Sequence, residues 1–140
     1  MNHFKKTLLT LALALGSVAA FAQAAPVQIT NNTGCWYIVQ AVAVEPGCVN
    51  PCTVGPVCVP PGAVVSLPPC NPAAFWCNVQ VTPADPNCIA CPAPFSTVNV
   101  SAPNDPCAPF PQHAAGKHCD PGCGSFNVHY VTANDVQINP

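Results

Sequence analysis

The sequence predicts a small all-β domain: a disulfide-stapled antiparallel β-sandwich, immunoglobulin-like or similar, with long loops rich in proline and cysteine. After residue 24 there are seventeen valines and four isoleucines against a single leucine, and β-branched residues favour strands. All nineteen prolines follow residue 24, and they interrupt nearly every helix-length window between residues 46 and 111. Eleven cysteines supply the cross-links that a thin valine core needs.

Residues 1–24 have the features of a Sec-type signal peptide. Lys5 and Lys6 precede an apolar stretch, and Ala22-Gln23-Ala24 supplies the small-x-small pattern of a cleavage site. The sequence therefore predicts cleavage after residue 24 and a single domain over residues 25–140, secreted or periplasmic. No membrane insertion is expected once the signal is removed.

The charge of the predicted mature chain excludes two classes of partner. Lys117 is its single basic residue, because Lys5 and Lys6 belong to the predicted signal peptide and the sequence contains no arginine. One positive charge against five acids gives a formal net charge of −4. Nucleic acid and anionic lipid both require a basic surface, so we expect neither as a partner.

The cysteines are first interpreted as half-cystines, because disulfides form in exported chains. Each bridge contributes about 2–4 kcal/mol by restricting the unfolded chain. Eleven is an odd number, so one thiol is left over, which would allow a disulfide-linked dimer. The pairing does not follow from the sequence. The disulfide candidates are Cys35, Cys48, Cys52, Cys58, Cys70, Cys77, Cys88, Cys91, Cys107, Cys119 and Cys123.

The longest stretch without proline, residues 27–44, predicts two strands around a turn at residues 31–34. Asparagine, threonine and glycine tolerate the dihedrals of a tight turn. The second strand, residues 35–44, is apolar on both faces. We therefore expect it in the middle of a sheet that is covered on each side.

Five further strands follow from short apolar or alternating segments between turn residues. They are predicted over residues 62–67, 75–82, 95–101, 125–131 and 136–138. Three segments rich in proline and cysteine, residues 45–61, 83–94 and 102–124, are predicted to be mostly irregular. Seven short strands of this kind are typical of a two-sheet sandwich.

The segment Asn31-Asn32-Thr33-Gly34-Cys35, followed by an aromatic strand, resembles the beginning of thaumatin-like proteins. The resemblance covers roughly fifteen residues, namely an extended segment, this turn and the start of the aromatic strand. That family carries an acidic cleft with arginine, and this sequence contains no arginine. No residue role is therefore transferred from it.

The outward face of the predicted strands favours a non-enzymatic structural or binding module. It carries amides and hydroxyls without charge, which suit a neutral polar ligand such as a glycan, or the surface of another protein. In the strand at residues 75–82, Cys77 is expected to point inwards and Trp76 outwards. No cofactor is expected. The ligand-binding candidates are Trp76, Asn78, Gln80, Asn99 and Asn127.

Two alternatives of other classes remain open. The first is a secreted metal-binding or thiol-active protein, because nitrogen and sulfur ligands cluster late in the chain. Its candidate ligands are His113, His118, Cys119, Cys123 and His129. The second is a small hydrolase or toxin-like effector, although the acids lie in separate turns and no catalytic residue can be assigned.

Overall fold

The computed structural model describes residues 25–103, 105–107 and 109–140. The predicted signal peptide lies outside these residues. The described residues form nine strands and no helix, which confirms the all-β prediction. In chain order they are β1 (Val27–Asn31), β2 (Trp36–Glu45), β3 (Val49–Val59), β4 (Val64–Leu67), β5 (Phe75–Ala84), β6 (Val98–Ser101), β7 (His113–Lys117), β8 (Ser125–Thr132) and β9 (Asp135–Asn139).

The strands form two sheets, as a sandwich requires. One has the order β4-β1-β9-β8-β7 and the other β3-β2-β5-β6. Strands β1 and β9 are parallel, whereas the other pairs are antiparallel. One core cluster takes residues from both sheets. Across it the rings of Tyr37 on β2 and Phe126 on β8 lie 4.9 Å apart.

The turn at residues 31–34 carries the chain from one sheet to the other, since β1 and β2 belong to different sheets. Buried Asn31 organises this crossing. Its amide donates to the carbonyls of Cys35 at 2.7 Å and Pro60 at 2.9 Å, and its Oδ1 accepts from the hydroxyl of Thr33 at 2.8 Å. An asparagine with all these bonds fixes the crossing without leaving a buried polar group unpaired.

Strand β2 lies in the interior of its sheet, as predicted, but the prediction that both faces are covered is wrong. Tyr37, Val39, Ala41 and Ala43 are fully buried in the core. On the opposite face, Trp36, Ile38 and Val42 are only half-buried. The reason is that the second sheet covers one face of β2, while loops partly cover the other.

The prediction of a mostly irregular segment at residues 45–61 is wrong, because most of it forms β3. This strand lies at the edge of its sheet, where proline is tolerated because an outward N–H is not needed for pairing. Its pairing with β2 shifts between Val39 and Ala41. There Gly55 has φ +102°, and a Cβ would lie 2.8 Å from the Val39 carbonyl oxygen.

Strand β7 also lies in a segment that the sequence predicts to be irregular. Its sequence, HAAGK, lacks apolar alternation, and its inner face is filled by small residues instead. At Gly116 a Cβ would come within 2.5 Å of the Phe126 ring and 2.7 Å of a Val98 methyl. Glycine therefore permits the close approach of β7 to β6.

Five disulfides cross-link the described residues: Cys35–Cys123, Cys48–Cys107, Cys52–Cys70, Cys58–Cys88 and Cys91–Cys119. They indicate an oxidising environment such as the periplasm or the cell exterior. Among the described cysteines Cys77 alone is free, and it is 5% exposed. A dimer linked through Cys77 would therefore require this part of the domain to open.

Candidate binding cleft and other polar sites

A cleft of about 580 Å³ lies between β6 of one sheet and β7 of the other. Each of these two strands is an edge strand of its sheet. Phe95 and the small residues of β7 form its apolar lining. Its polar lining residues are Ser96, Thr97, Asn99, Lys117 and Ser125, and none of the five acids lines it.

Strand β6 directs the backbone of Asn99 towards its open edge. The Ser101 N–H donates to Pro111 O at 2.9 Å, and the Ala102 N–H donates to Cys77 O of β5 at 2.9 Å. Antiparallel pairs alternate between bonded and non-bonded. In the register of β5 and β6, Val98 and Val100 therefore bond to β5, and the N–H and C=O of Asn99 point away from it.

The same reasoning assigns the open edge of β7. The Tyr130 N–H donates to Gln112 O at 3.1 Å, and the His118 N–H donates to Gly124 O at 2.9 Å. Residues 112 and 118 of this register therefore belong to hydrogen-bonded pairs. Because the register of β7 and β8 is uninterrupted and the pairs alternate, Ala114 and Gly116 also bond to β8. The backbones of His113, Ala115 and Lys117 therefore point away from β8. Two sheet edges consequently flank one cleft, and within the described residues no strand pairs with β6 at Asn99 or with the outward backbone groups of β7.

The ligand-binding residues predicted from the sequence do not form one face. The prediction that Trp76 points outwards is wrong, because a β-bulge at Cys77 pairs both Trp76 with Ala43 and Asn78 with Val42. This extra residue turns Trp76 into the core, where it is 3% exposed. Cys77, the extra residue of the bulge, is buried as well, at 5% exposure.

The other four candidates are dispersed. Asn78 is buried at 7% exposure, and Gln80 is half-buried beside it on β5. Asn99 lines the cleft. Asn127 is exposed on the five-stranded sheet. The structure therefore places one of the five predicted ligand-binding residues at the cleft.

The predicted metal-binding set is divided among three places. Cys119 is bonded to Cys91, and Cys123 is bonded to Cys35. His118 is buried near the Cys91–Cys119 bridge, so that ligand atoms of these three residues lie within 4.8 Å of one another. Both sulfurs are held in the disulfide, which leaves no thiolate for a metal at this position.

Both ring nitrogens of His118 are engaged with the backbone. The Asp120 N–H donates to Nδ1 at 3.0 Å, and Nε2 lies 3.1 Å from the Trp36 carbonyl oxygen. Because Nδ1 accepts, Nε2 carries the hydrogen and donates to that oxygen. The ring also meets Tyr37 edge-on, with centroids 5.5 Å apart. His118 is thus a structural residue rather than a general base.

A second cleft of about 310 Å³ brings Asp85 and Asp120 beside His118. Both carboxylates are used by their own turns: Asp85 accepts from the N–H groups of Asn87 and Ile89, each at 2.9 Å, and Asp120 accepts from Gly122 at 2.8 Å. The bond from Ile89 is the main cause that lowers the pKa of Asp85. This geometry favours turn capping over acid–base catalysis.

The two remaining histidines of the predicted metal set meet on the outer face of the five-stranded sheet. His113 of β7 lies directly opposite His129 of β8. Both line a shallow cleft of about 370 Å³. The alternation established above makes them a non-hydrogen-bonded pair, the closer of the two kinds of antiparallel pair.

Around Cys77 several polar groups are buried without hydrogen-bond partners. Among the described residues, none bonds to Asp105 Oδ2 or to the hydroxyl of Tyr130. Burial, and to a lesser extent the neighbouring Asp105, raises the pKa of the Cys77 thiol to about 12. Burial and the nearby Cys77 and Asp105 also raise the pKa of Tyr130. The thiol is therefore protonated and inert at neutral pH.

Sequence reasoning did not find Phe95, Gly116, Lys117 or Ser125 as cleft residues. Their position depends on β7, which lacks the alternating pattern of a strand. The lone Lys117 in an otherwise uncharged segment is the one feature that could have drawn attention to it.

No protein-family model, curated protein or solved structure matches this chain. In the part of the chain that the structure describes, no helix is long and apolar enough to cross a membrane.

Proposed function

We propose that this chain is an exported, non-enzymatic binding module whose cleft receives an extended segment of another protein. The observation that carries the proposal is that β6 and β7 lie on the two sides of one cleft, each with an edge that no other described strand pairs. An extended peptide added to such an edge gains main-chain hydrogen bonds, and pockets for alternate side chains supply specificity. The oxidising environment indicated by five disulfides is in keeping with export.

The chemistry of the cleft restricts the ligand. Hydroxyls can bond to polar side chains of the peptide, and Phe95 offers an apolar contact. Lys117 is the single cation of residues 25–140, and it lines the cleft with no acid beside it. We therefore expect a mostly neutral segment that carries one carboxylate near Lys117.

A neutral glycan is the second candidate ligand. The observation that favours it is the set of hydroxyls and the Asn99 amide beside the half-buried ring of Phe95, a combination that suits sugar hydroxyls and an apolar sugar face. This mode uses side chains instead of the backbone edge, which makes the two candidates separable.

The test replaces backbone donors at the open edges without disturbing the ladders. In Asn99→Pro and Ala115→Pro the lost N–H is one that points away from the partner strand, so the sheet should tolerate proline there. Short synthetic peptides, selected from a random phage-displayed library against the native domain, are then titrated by fluorescence anisotropy. We expect each proline variant to weaken binding by at least about ten-fold, which corresponds to about 1.4 kcal/mol.

Asn99→Ala is the matched control, because it removes the amide but keeps the backbone N–H. Peptide binding that survives Asn99→Ala and fails in Asn99→Pro supports strand addition. Selected peptides that bind both proline variants as tightly as the native domain would overturn it. Binding to an array of neutral glycans that is lost equally in Asn99→Ala and Asn99→Pro would establish the second candidate instead.

A further inference from the structure

We infer that His113 and His129 form a two-histidine site for a divalent transition-metal cation on the outer face of the five-stranded sheet. This site is separate from the cleft and does not rest on the function proposed above. His113 of β7 is exposed and His129 of β8 is half-buried, and they are direct partners in the antiparallel register. The shallow cleft that both residues line makes this surface accessible.

The spacing of the pair suits chelation. In a non-hydrogen-bonded antiparallel pair the Cα atoms lie about 4.5 Å apart and the side chains share one face. Gln112 and Tyr130 form a hydrogen-bonded pair, and so do His118 and Gly124. Because the two kinds of pair alternate along the strands, these bonds assign His113 and His129 to the non-hydrogen-bonded kind. Two imidazoles at this separation can direct one nitrogen each at a common ion.

A neighbouring amide orients one of the rings. The side-chain nitrogen of Asn139 lies 3.3 Å from Nδ1 of His129, which leaves Nε2 as the ring nitrogen available to an ion. When metal-bound histidines coordinate through one nitrogen, the other usually donates to an acceptor. The Asn32 amide donates to Asn139 Oδ1 at 2.8 Å. If both amides rotate by a half-turn, Asn139 presents its oxygen to the Nδ1–H of His129, and the bond between the two amides is kept in the opposite direction.

Ligand chemistry identifies the class of ion. Imidazole suits zinc, copper and nickel, whereas calcium and magnesium prefer oxygen. Amide oxygens are close by, because Gln137 lies opposite His129 on β9 and Asn127 lines the same cleft. Water would complete the coordination of an open site. The net charge of −4 on the mature chain also attracts cations.

The experiment is a titration of the EDTA-treated and dialysed mature protein with Cu²⁺, the divalent ion that nitrogen ligands bind most tightly. Visible absorption gives the affinity and stoichiometry, and electron paramagnetic resonance reports the nitrogen ligands. We expect one Cu²⁺ per chain with two imidazole nitrogens. Either His113→Gln or His129→Gln should weaken Cu²⁺ binding at least about ten-fold and remove one nitrogen ligand from the resonance spectrum. Substitution of residues that only hydrogen-bond to metal ligands already has effects of this size.

Val131→Ala is the matched control, because Val131 is exposed on β8 two residues from His129 and carries no metal-ligating atom. This variant should bind Cu²⁺ like the native protein. Thermal unfolding with EDTA checks that all variants fold. Native affinity and an unchanged resonance spectrum in both histidine variants would overturn the inference. So would Cu²⁺ binding that appears only after reduction of the disulfides, because it would assign the metal to cysteine.

Discussion

Two buried polar clusters lie near opposite ends of β2 and are built in opposite ways. Near Trp36, both ring nitrogens of His118 are bonded and two disulfides pass close by. Near Ala43, Cys77 is free and the Tyr130 hydroxyl has no partner among the described residues. Seven residues of a strand separate these ends by roughly 23 Å. Polar groups in the same core can therefore either support the fold or weaken it.

The difference shows what a buried polar group needs. A bonded donor or acceptor contributes modestly to stability, whereas an unpaired one retains the cost of losing water. His118 therefore stabilises its end of the sandwich, and the Cys77 end keeps groups that would be more stable in water. Four predictions follow that comparison, beginning with the largest effect.

The disulfides near the two ends of β2 should stabilise the fold by different amounts. Replacing Cys35 and Cys123 by alanine opens a link across a sequence separation of 88, against 18 for Cys52 and Cys70. Loop entropy in the unfolded chain predicts losses of about 4.6 and about 3.2 kcal/mol respectively. Urea unfolding without reductant measures both. A larger loss for the shorter link would refute the entropic explanation.

His118→Ala should be the most damaging single substitution among the buried polar groups. It leaves the Asp120 N–H and the Trp36 carbonyl without their partner and opens a cavity beside Tyr37, for a combined loss of about 2–4 kcal/mol. His129→Ala, measured with EDTA, is the surface control and should change stability by no more than about 0.5 kcal/mol. Equal effects of the two variants in urea would contradict the structural role of His118.

Alkaline pH should destabilise the Cys77 end. The thiol has a pKa raised from 9.0 to about 12, so the unfolded chain releases this proton at lower pH than the folded one. Stability from this group is therefore complete below about pH 9 and is lost as pH rises towards 12. The urea midpoint should fall less steeply in Cys77→Ala than in the native protein between these values. Parallel curves would show that Cys77 does not titrate in this way.

The smallest effects should have opposite signs in two tyrosines. Tyr130→Phe removes an unpartnered buried hydroxyl and should be neutral or stabilising by up to about 1 kcal/mol. Tyr37→Phe removes a hydroxyl that lies 3.5 Å from the Thr33 hydroxyl and should cost up to about 1 kcal/mol. Thermal or urea unfolding compares them directly. A costly Tyr130→Phe would show that its hydroxyl is bonded after all.

The sequence was sufficient where local chemistry decides the structure. Valine content and cysteine number predicted an all-β, cross-linked domain, and the central position of β2 followed from its apolar residues. The predicted polar face failed at Trp76 because the bulge at Cys77 reverses its direction relative to the alternation. It failed at Asn127 because β8 belongs to the other sheet. Bulges depend on pairing with another strand, and the sequence of one strand does not reveal them.

The edge strands were missed for a related reason. Strand β3 contains prolines that would exclude a central strand, and β7 contains alanines and a glycine with no alternation. Both are specified by the neighbour on which they pack, since Gly116 fits against Phe126 and Val98. The candidate cleft depends on β7, and it could not be assembled until that packing was known.

The prolines of β3 limit how many molecules the four-stranded sheet can join. Pro51 and Pro56 have no N–H to offer, and Asn50 has a left-handed φ of 48°, so this border cannot template another strand easily. The opposite border, β6, is not blocked in this way. If a segment pairs with β6, as proposed above, the β3 border offers no ready place for a further strand, which disfavours growth of this sheet into a fibre.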